Sequence, residues 1–169
     1  MNKSDSHIES GASQSGGGAV CVPPPLAAFQ SAAWACAHTL LENIMYIQKE
    51  LPTLDLAEVQ RSAIMQICTT LIGTKHDVVS ELFDLQDMES AAEPDVIQKR
   101  IERIVQMVIE DLTQLHEVVQ YLESAAASDR RVGLAYLLVA ESATNMLRSF
   151  AEMRAAAERY GEEIAKDGP

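Results

Sequence analysis

The sequence predicts an all-α protein: an antiparallel up-down-up-down four-helix bundle behind a disordered amino-terminal tail. Three observations lead there. Four long segments repeat apolar residues at spacings of three and four, which places them on one stripe of a helix. The connections between these segments are only a few residues long, so successive helices are antiparallel neighbours. The apolar residues are mostly Ala, Leu, Ile, Val and Met, with aromatics at 5%, a palette that favours helices and close helix packing. With 169 residues, 47% of them hydrophobic, one domain is expected, spanning residues 25–165.

Residues 1–24 read MNKSDSHIESGASQSGGGAVCVPP. They carry almost no large apolar side chain with which to offset the entropy of being ordered, so a disordered tail is expected. A leader for a specialised secretion machine is the alternative reading of this tail. Pro23, Pro24 and Pro25 make a stiff entry, and the last of them suits a first helical turn.

The first helix is expected over about 26–51, with Phe29, Ala33, Cys36, Leu40, Ile44, Ile47 and Leu51 on one stripe, ending before Pro52. A second, over about 55–88, opens on Asp55 and Glu58 in a capping-box arrangement. It buries Leu56, Ala63, Ile67, Leu71, Val78, Leu82 and Leu85, and Gly73 interrupts it without ending it. The third, over about 94–124, starts at Pro94 and Asp95 and aligns Ile97, Ile101, Ile104, Val108, Leu112, Leu115, Val119 and Leu122. The fourth, over about 129–164, follows Ser128 as an N-cap. Val132, Tyr136, Val139, Ala143, Met146, Phe150, Met153, Ala157, Tyr160 and Ile164 then alternate by four and three, a heptad seam. Helices of this length extend ~40–55 Å, as in a bundle or coiled-coil module. The expected connections are Pro52-Thr53-Leu54, Ser90-Ala91-Ala92-Glu93 and Ala125-Ala126-Ala127.

A formal net charge of −12 repels phosphate backbones and anionic lipid heads, and the Lys and Arg residues form no stripe; neither nucleic acid nor a membrane surface is an expected partner. The longest unbroken apolar run, Gly133 to Ala140, is far short of the ~20 residues that span a bilayer. Cys21, Cys36 and Cys68 are odd in number and lack C-x-x-C spacing, so free thiols in a reducing, cytoplasmic setting are expected, without zinc.

More apolar surface is present than four helices require. The second helix has a further stripe of Met65, Cys68, Ile72, Val79 and Phe83, about 100° from its main one. The first helix has a matching flank in Trp34, Leu41 and Met45, and the fourth opens apolar nearly all round through Leu134, Leu137 and Leu138. Part of this widens the core, because each helix of a bundle touches two neighbours. The rest reads as a partner-binding face of Trp34, Leu41, Met45, Met65, Ile72, Val79 and Phe83, since Trp, Met and Phe are enriched at interfaces. The expected function is therefore a non-enzymatic binding or scaffolding bundle without cofactor, its partner a protein, a second copy of the chain included.

Two chemical readings stand beside it. His38, in Ala35-Cys36-Ala37-His38-Thr39-Leu40-Leu41-Glu42, lies at the edge of the apolar face one turn before a carboxylate. The stretch resembles the phosphoacceptor helix of histidine phosphotransfer and histidine kinase dimerisation domains, which implies His38 as acceptor. It departs from the phosphotransfer pattern at Leu41 and Glu42, where Lys and Gly are usual, and from the kinase pattern at Thr39, where an acid is usual. The bland counterpart is a surface histidine with Glu42 one turn on.

A carboxylate metal centre in a bundle uses Glu-x-x-His pairs, and none occurs here. Asp111 and Glu141 nonetheless fall in or beside apolar arcs at similar height, with His38 and His116 within about a turn or two, so Asp111, Glu141 and His116 are the candidate ligands; seam-edge acids paired to Arg148 or other cations are the simpler expectation. Glu81, Asp84 and Asp87 recur every third residue where they oppose the helix macrodipole, so Lys99, Arg100 and Arg103 across the turn are expected to offset them. No Gly-x-Ser-x-Gly elbow or phosphate-cradling Gly loop is present, which removes the common hydrolase and nucleotide-binding readings.

Overall fold

The computed structural model describes residues 24–88 and 93–167. Among them it contains four α-helices and a 3₁₀ turn and no strand: α1 (Pro25–Glu50), the turn (Leu51–Thr53), α2 (Glu58–Met88), α3 (Pro94–Ser128) and α4 (Val132–Asp167). The expected tail over residues 1–23 and the connection through Ser90, Ala91 and Ala92 lie outside the described residues.

The helices form the expected bundle. Each packs on its neighbours in sequence, and α1 against α4 closes the ring. The core is one continuous cluster in which Phe29, Leu40 and Ile44 of α1, Ile64, Leu71 and Leu82 of α2, Ile101, Ile104 and Leu115 of α3, and Met146 and Met153 of α4 are sealed from solvent. Contacts at both ends agree with antiparallel neighbours. Arg131, in the α3–α4 connection, lies 3.6 Å from Asp55 in the α1–α2 connection. At the other end Arg100 of α3 reaches Glu81 at 2.9 Å and Asp84 at 2.7 Å on α2, with Arg103 3.5 Å from Glu81. Of the acids that oppose the α2 macrodipole, Glu81 and Asp84 are offset by these cations; Asp87 and Lys99 have no part in the pairing among the described residues. No helix among the described residues is long and apolar enough to cross a membrane.

Three element boundaries differ from expectation. Pro25 does open α1, with Pro24 as its cap residue. Asp55 does not cap α2: the chain leaves the 3₁₀ turn extended and the helix begins at Glu58, with Ala57 accepting the first backbone bonds from Gln60 and Arg61. Gln60, not Glu58, reaches back to the Ala57 amide, at 3.0 Å, the carboxamide half of a capping box set two residues later. Ala125, Ala126 and Ala127 are not a connection but the last turn of α3, because alanine is the strongest helix former and nothing there stops the helix. The break comes at Asp129, in extended backbone. Its carboxylate, rather than the Ser128 hydroxyl, turns the chain by accepting the Arg131 amide at 3.0 Å, and the Ser128 hydroxyl donates back to Ala125. The seam of α4 is also wider than a heptad stripe, since Ala135, Leu138, Ser142 and Ala156 are buried with it and Tyr136 is only half-buried.

Candidate functional site

Helices α1 and α2 meet with a shared outer face whose members come from both apolar flanks. The Trp34 and Phe83 rings pack edge to face, centroids 5.4 Å apart and planes at 79°, an arrangement aromatic quadrupoles favour. Both remain open to solvent, Trp34 at 38% and Phe83 at 55%. Behind them runs a groove of about 320 Å³ lined by Trp34, Ala37, His38, Leu41, Lys75, Val79 and Phe83. Leu41 and Val79 form its half-buried floor. Met45 (60% exposed) continues the surface along α1, and Met65 (39%) lies further along α2.

The expected stripe on α2 therefore divides. Cys68 belongs to the core, Ile72 and Val79 are half-buried against it, and only Met65 and Phe83 stand outside. The exposed residues of α1 are Ser31, Trp34, Ala35, His38, Glu42, Met45, Tyr46 and Lys49, with Glu42 and Lys49 as the charged members of its outward line. Sequence patterning missed Tyr46 and Ala35, which lie on that outward line rather than on either apolar flank. It also missed Lys75, a polar wall of the groove inside an apolar stripe. At the opposite side of the bundle Leu134 and Leu137 of α4 are exposed while Leu138 is buried.

His38 sits at the rim of the groove with its imidazole largely in solvent, Nε2 3.1 Å from the Glu42 carboxylate. That is the i,i+4 pair its spacing implies. The candidate ligands are not brought together. Asp111 of α3 is half-buried against α2, where the Thr74 hydroxyl donates to its Oδ2. Burial, and then the like charges of Glu110 and Asp77, hold its carboxyl above the usual carboxylate range. His116 points outward and bonds Gln120 at 3.0 Å. Glu141 is exposed, because Leu134 and Leu137, the arc that placed it, are themselves turned away from the core. Neither acid is ion-paired among the described residues, so the expected pairing to Arg148 is replaced, for Asp111, by a hydroxyl. No three His, Cys, Asp or Glu side chains among the described residues converge as metal ligands.

Cys36 and Cys68 are free and buried. Burial pushes each thiol up to about 11, so little of either is nucleophilic thiolate near neutral pH. The groove thus presents apolar side chains, one exposed imidazole and one ammonium. No protein-family model matches this chain, and neither curated proteins nor solved structures show significant similarity to it.

Proposed function

We propose that this protein is a non-enzymatic binding or scaffolding module that engages a protein partner through the α1–α2 face. The observation that carries the reading is the exposed Trp34–Phe83 pair, continued by Met45 and Met65 on a charge-poor surface. Aromatic residues and Met are the side chains that anchor interfaces, and the half-buried Leu41 and Val79 line the groove beside them. The charge distribution points the same way. Helix α1 carries only Glu42, Lys49 and Glu50 as charged residues, and α2 has none between Arg61 and Lys75. A partner's apolar surface meets few ions to desolvate there. A net charge of −12 opposes nucleic acid and anionic lipid as partners.

The test is affinity capture with tagged wild-type protein and with Met45→Asp/Phe83→Asp, both positions being exposed. The reading expects the variant to keep its helix content and lose the captured protein. It is overturned if the folded variant retains the same protein, or if the substitutions unfold the chain and so prove to be core.

A second reading rests on the solvent-exposed His38 imidazole, hydrogen-bonded at one nitrogen to Glu42: a histidine phosphotransfer bundle with His38 as acceptor. Incubation with a phosphorylated receiver domain decides it. The binding-module reading expects no acid-labile phosphate on wild type; label that appears and is lost in His38→Gln establishes phosphotransfer instead.

A further inference from the structure

We infer that the occupant of the α1–α2 face is a second copy of the chain, with the two α1 helices antiparallel across a two-fold axis on the outward face at the height of Leu40, whose own side chain lies in the core. This rests on the reading of that face as a binding surface and names the partner. A two-fold interface is isologous, so its surface must be complementary to itself read backwards. The outward line of α1 has that property. Its amino-terminal half sets the small Ser31 and Ala35 around Trp34, and its carboxy-terminal half carries the large Met45 and Tyr46; His38 and Glu42 stand between. Reversal about Leu40 brings Met45 of one copy onto the hole bordered by Ser31, Trp34, Ala35 and His38 of the other, the knob-into-hole relation of packed helices. The thioether then meets the Trp34 ring, a favourable contact for sulfur. The same reversal sets His38 of each copy opposite Glu42 of the other, so the 3.1 Å pair within each helix becomes part of a four-member network.

Charge and area limit where two copies can meet. Two chains of −12 repel each other through most approaches, and α4, with ten charged residues, is poorly suited to self-contact. The outward line of α1, with Glu42 and Lys49, is where two copies approach with least repulsion. A stable interface needs roughly 800 Å² from each partner. One helix ~10 Å wide over the ~27 Å from Ser31 to Lys49 supplies about a third of that. Two helices side by side, ~20 Å across and ~40 Å long, supply the whole. The interface therefore includes α2, whose edge beside α1 carries the exposed Met65 and Phe83.

Sedimentation equilibrium of the full chain at ~150 mM salt, where the Debye length is about 8 Å, tests the inference. The expected result is a particle of twice 18.4 kDa for wild type, and of the single mass, with unchanged helix content, for Ala35→Glu and for Met45→Lys. The double variant Ala35→Glu/Met45→Lys is expected to recover the dimer. Its two new charges lie ten positions apart on one helix, ~15 Å, and meet only across the two-fold. A wild type that stays at 18.4 kDa overturns the inference, as do single variants that remain dimeric or a double variant that remains monomeric. If either single variant loses helix, the register is read on a Cys21→Ser background instead. Chains with Ala35→Cys and chains with Met45→Cys, mixed, must then form the mixed disulfide in preference to either like pair, and equal yields of all three pairs overturn it. A monomeric wild type that still loses a captured protein on Met45→Asp/Phe83→Asp removes the second copy and leaves the binding-module reading standing.

Discussion

Arg61 closes the α1–α2 connection almost alone. Its guanidinium donates to the Leu51 carbonyl through Nη1 and to the Leu54 carbonyl through Nη2, each at 3.1 Å, so a planar fork ties down a turn whose backbone makes few bonds of its own. Charge-assisted hydrogen bonds of this kind are worth ~1.5–3 kcal/mol apiece, and solvent exposure of the turn lowers the figure. Arg61→Ala is therefore expected to reduce the unfolding free energy in urea by about 1–3 kcal/mol, with Arg61→Lys, a single point donor, recovering only part of it; a lysine variant as stable as wild type would show that the fork geometry is irrelevant. Asp111 works in the opposite sense. Its folded-state pKa is raised, first by burial and then by Glu110 and Asp77, so the fold disfavours its carboxylate relative to the unfolded chain. The resulting penalty is fully present above the folded pKa and disappears as pH falls below the unfolded value near 3.8. Asp111→Asn still accepts the Thr74 hydroxyl and carries no charge, so its gain in stability over wild type is expected to be larger at pH 7 than at pH 4. Equal differences at the two pH values would remove the penalty.

At the scale of the helix, Gly73 is the weak point of α2. It is exposed in the middle of the helix, and a Cβ built on it meets nothing within 4 Å. Gly73→Ala then removes backbone entropy from the unfolded chain without a clash and is expected to stabilise the fold by roughly 0.5–1 kcal/mol in chemical denaturation; a destabilised variant would mean that the space is occupied in solution. The elements were legible where large apolar residues recur strictly, as on α3 from Ile97 to Leu122, because that repeat has one solution on a helix. Boundaries were not. Asp55 and Glu58 have the letters of a capping box, but Pro52 draws the chain into a 3₁₀ turn, and the usable frame falls at Ala57 and Gln60. The alanines at 125–127 carry no apolar period to extend, yet their propensity continues α3 to Ser128. The proposed binding face was legible by residue type and not by exposure: Met65 and Cys68, three residues apart in one stripe, end one exposed and one buried, since spacing along one helix does not say which edge of a stripe a neighbouring helix covers. Glu141 shares an apolar arc with Leu134 and Leu137, and the arc itself is exposed.

Over the whole molecule the local pairs and the net charge oppose one another, and their ranges differ. Most ion pairs among the described residues are exposed, such as His38–Glu42, Arg154–Glu158 and Arg131–Asp129, and solvent and salt screen each such pair. Glu81 with Arg100 is the more sheltered exception and is screened less. A charge of −12 acts instead between groups spread along a bundle of ~50 Å. At ~10 mM salt the Debye length is about 30 Å and that repulsion is felt across most of the bundle; at ~150 mM it falls to about 8 Å, which removes the distant terms while contacts near 3 Å keep much of their attraction. Raising sodium chloride from ~10 to ~150 mM is therefore expected to raise the thermal midpoint and to tighten self-association through the α1–α2 face together. A midpoint that falls with salt would show that the short-range pairs, not the net charge, dominate the electrostatics of this fold. Tightening of the dimer without any rise in the midpoint would place the repulsion between chains rather than within one.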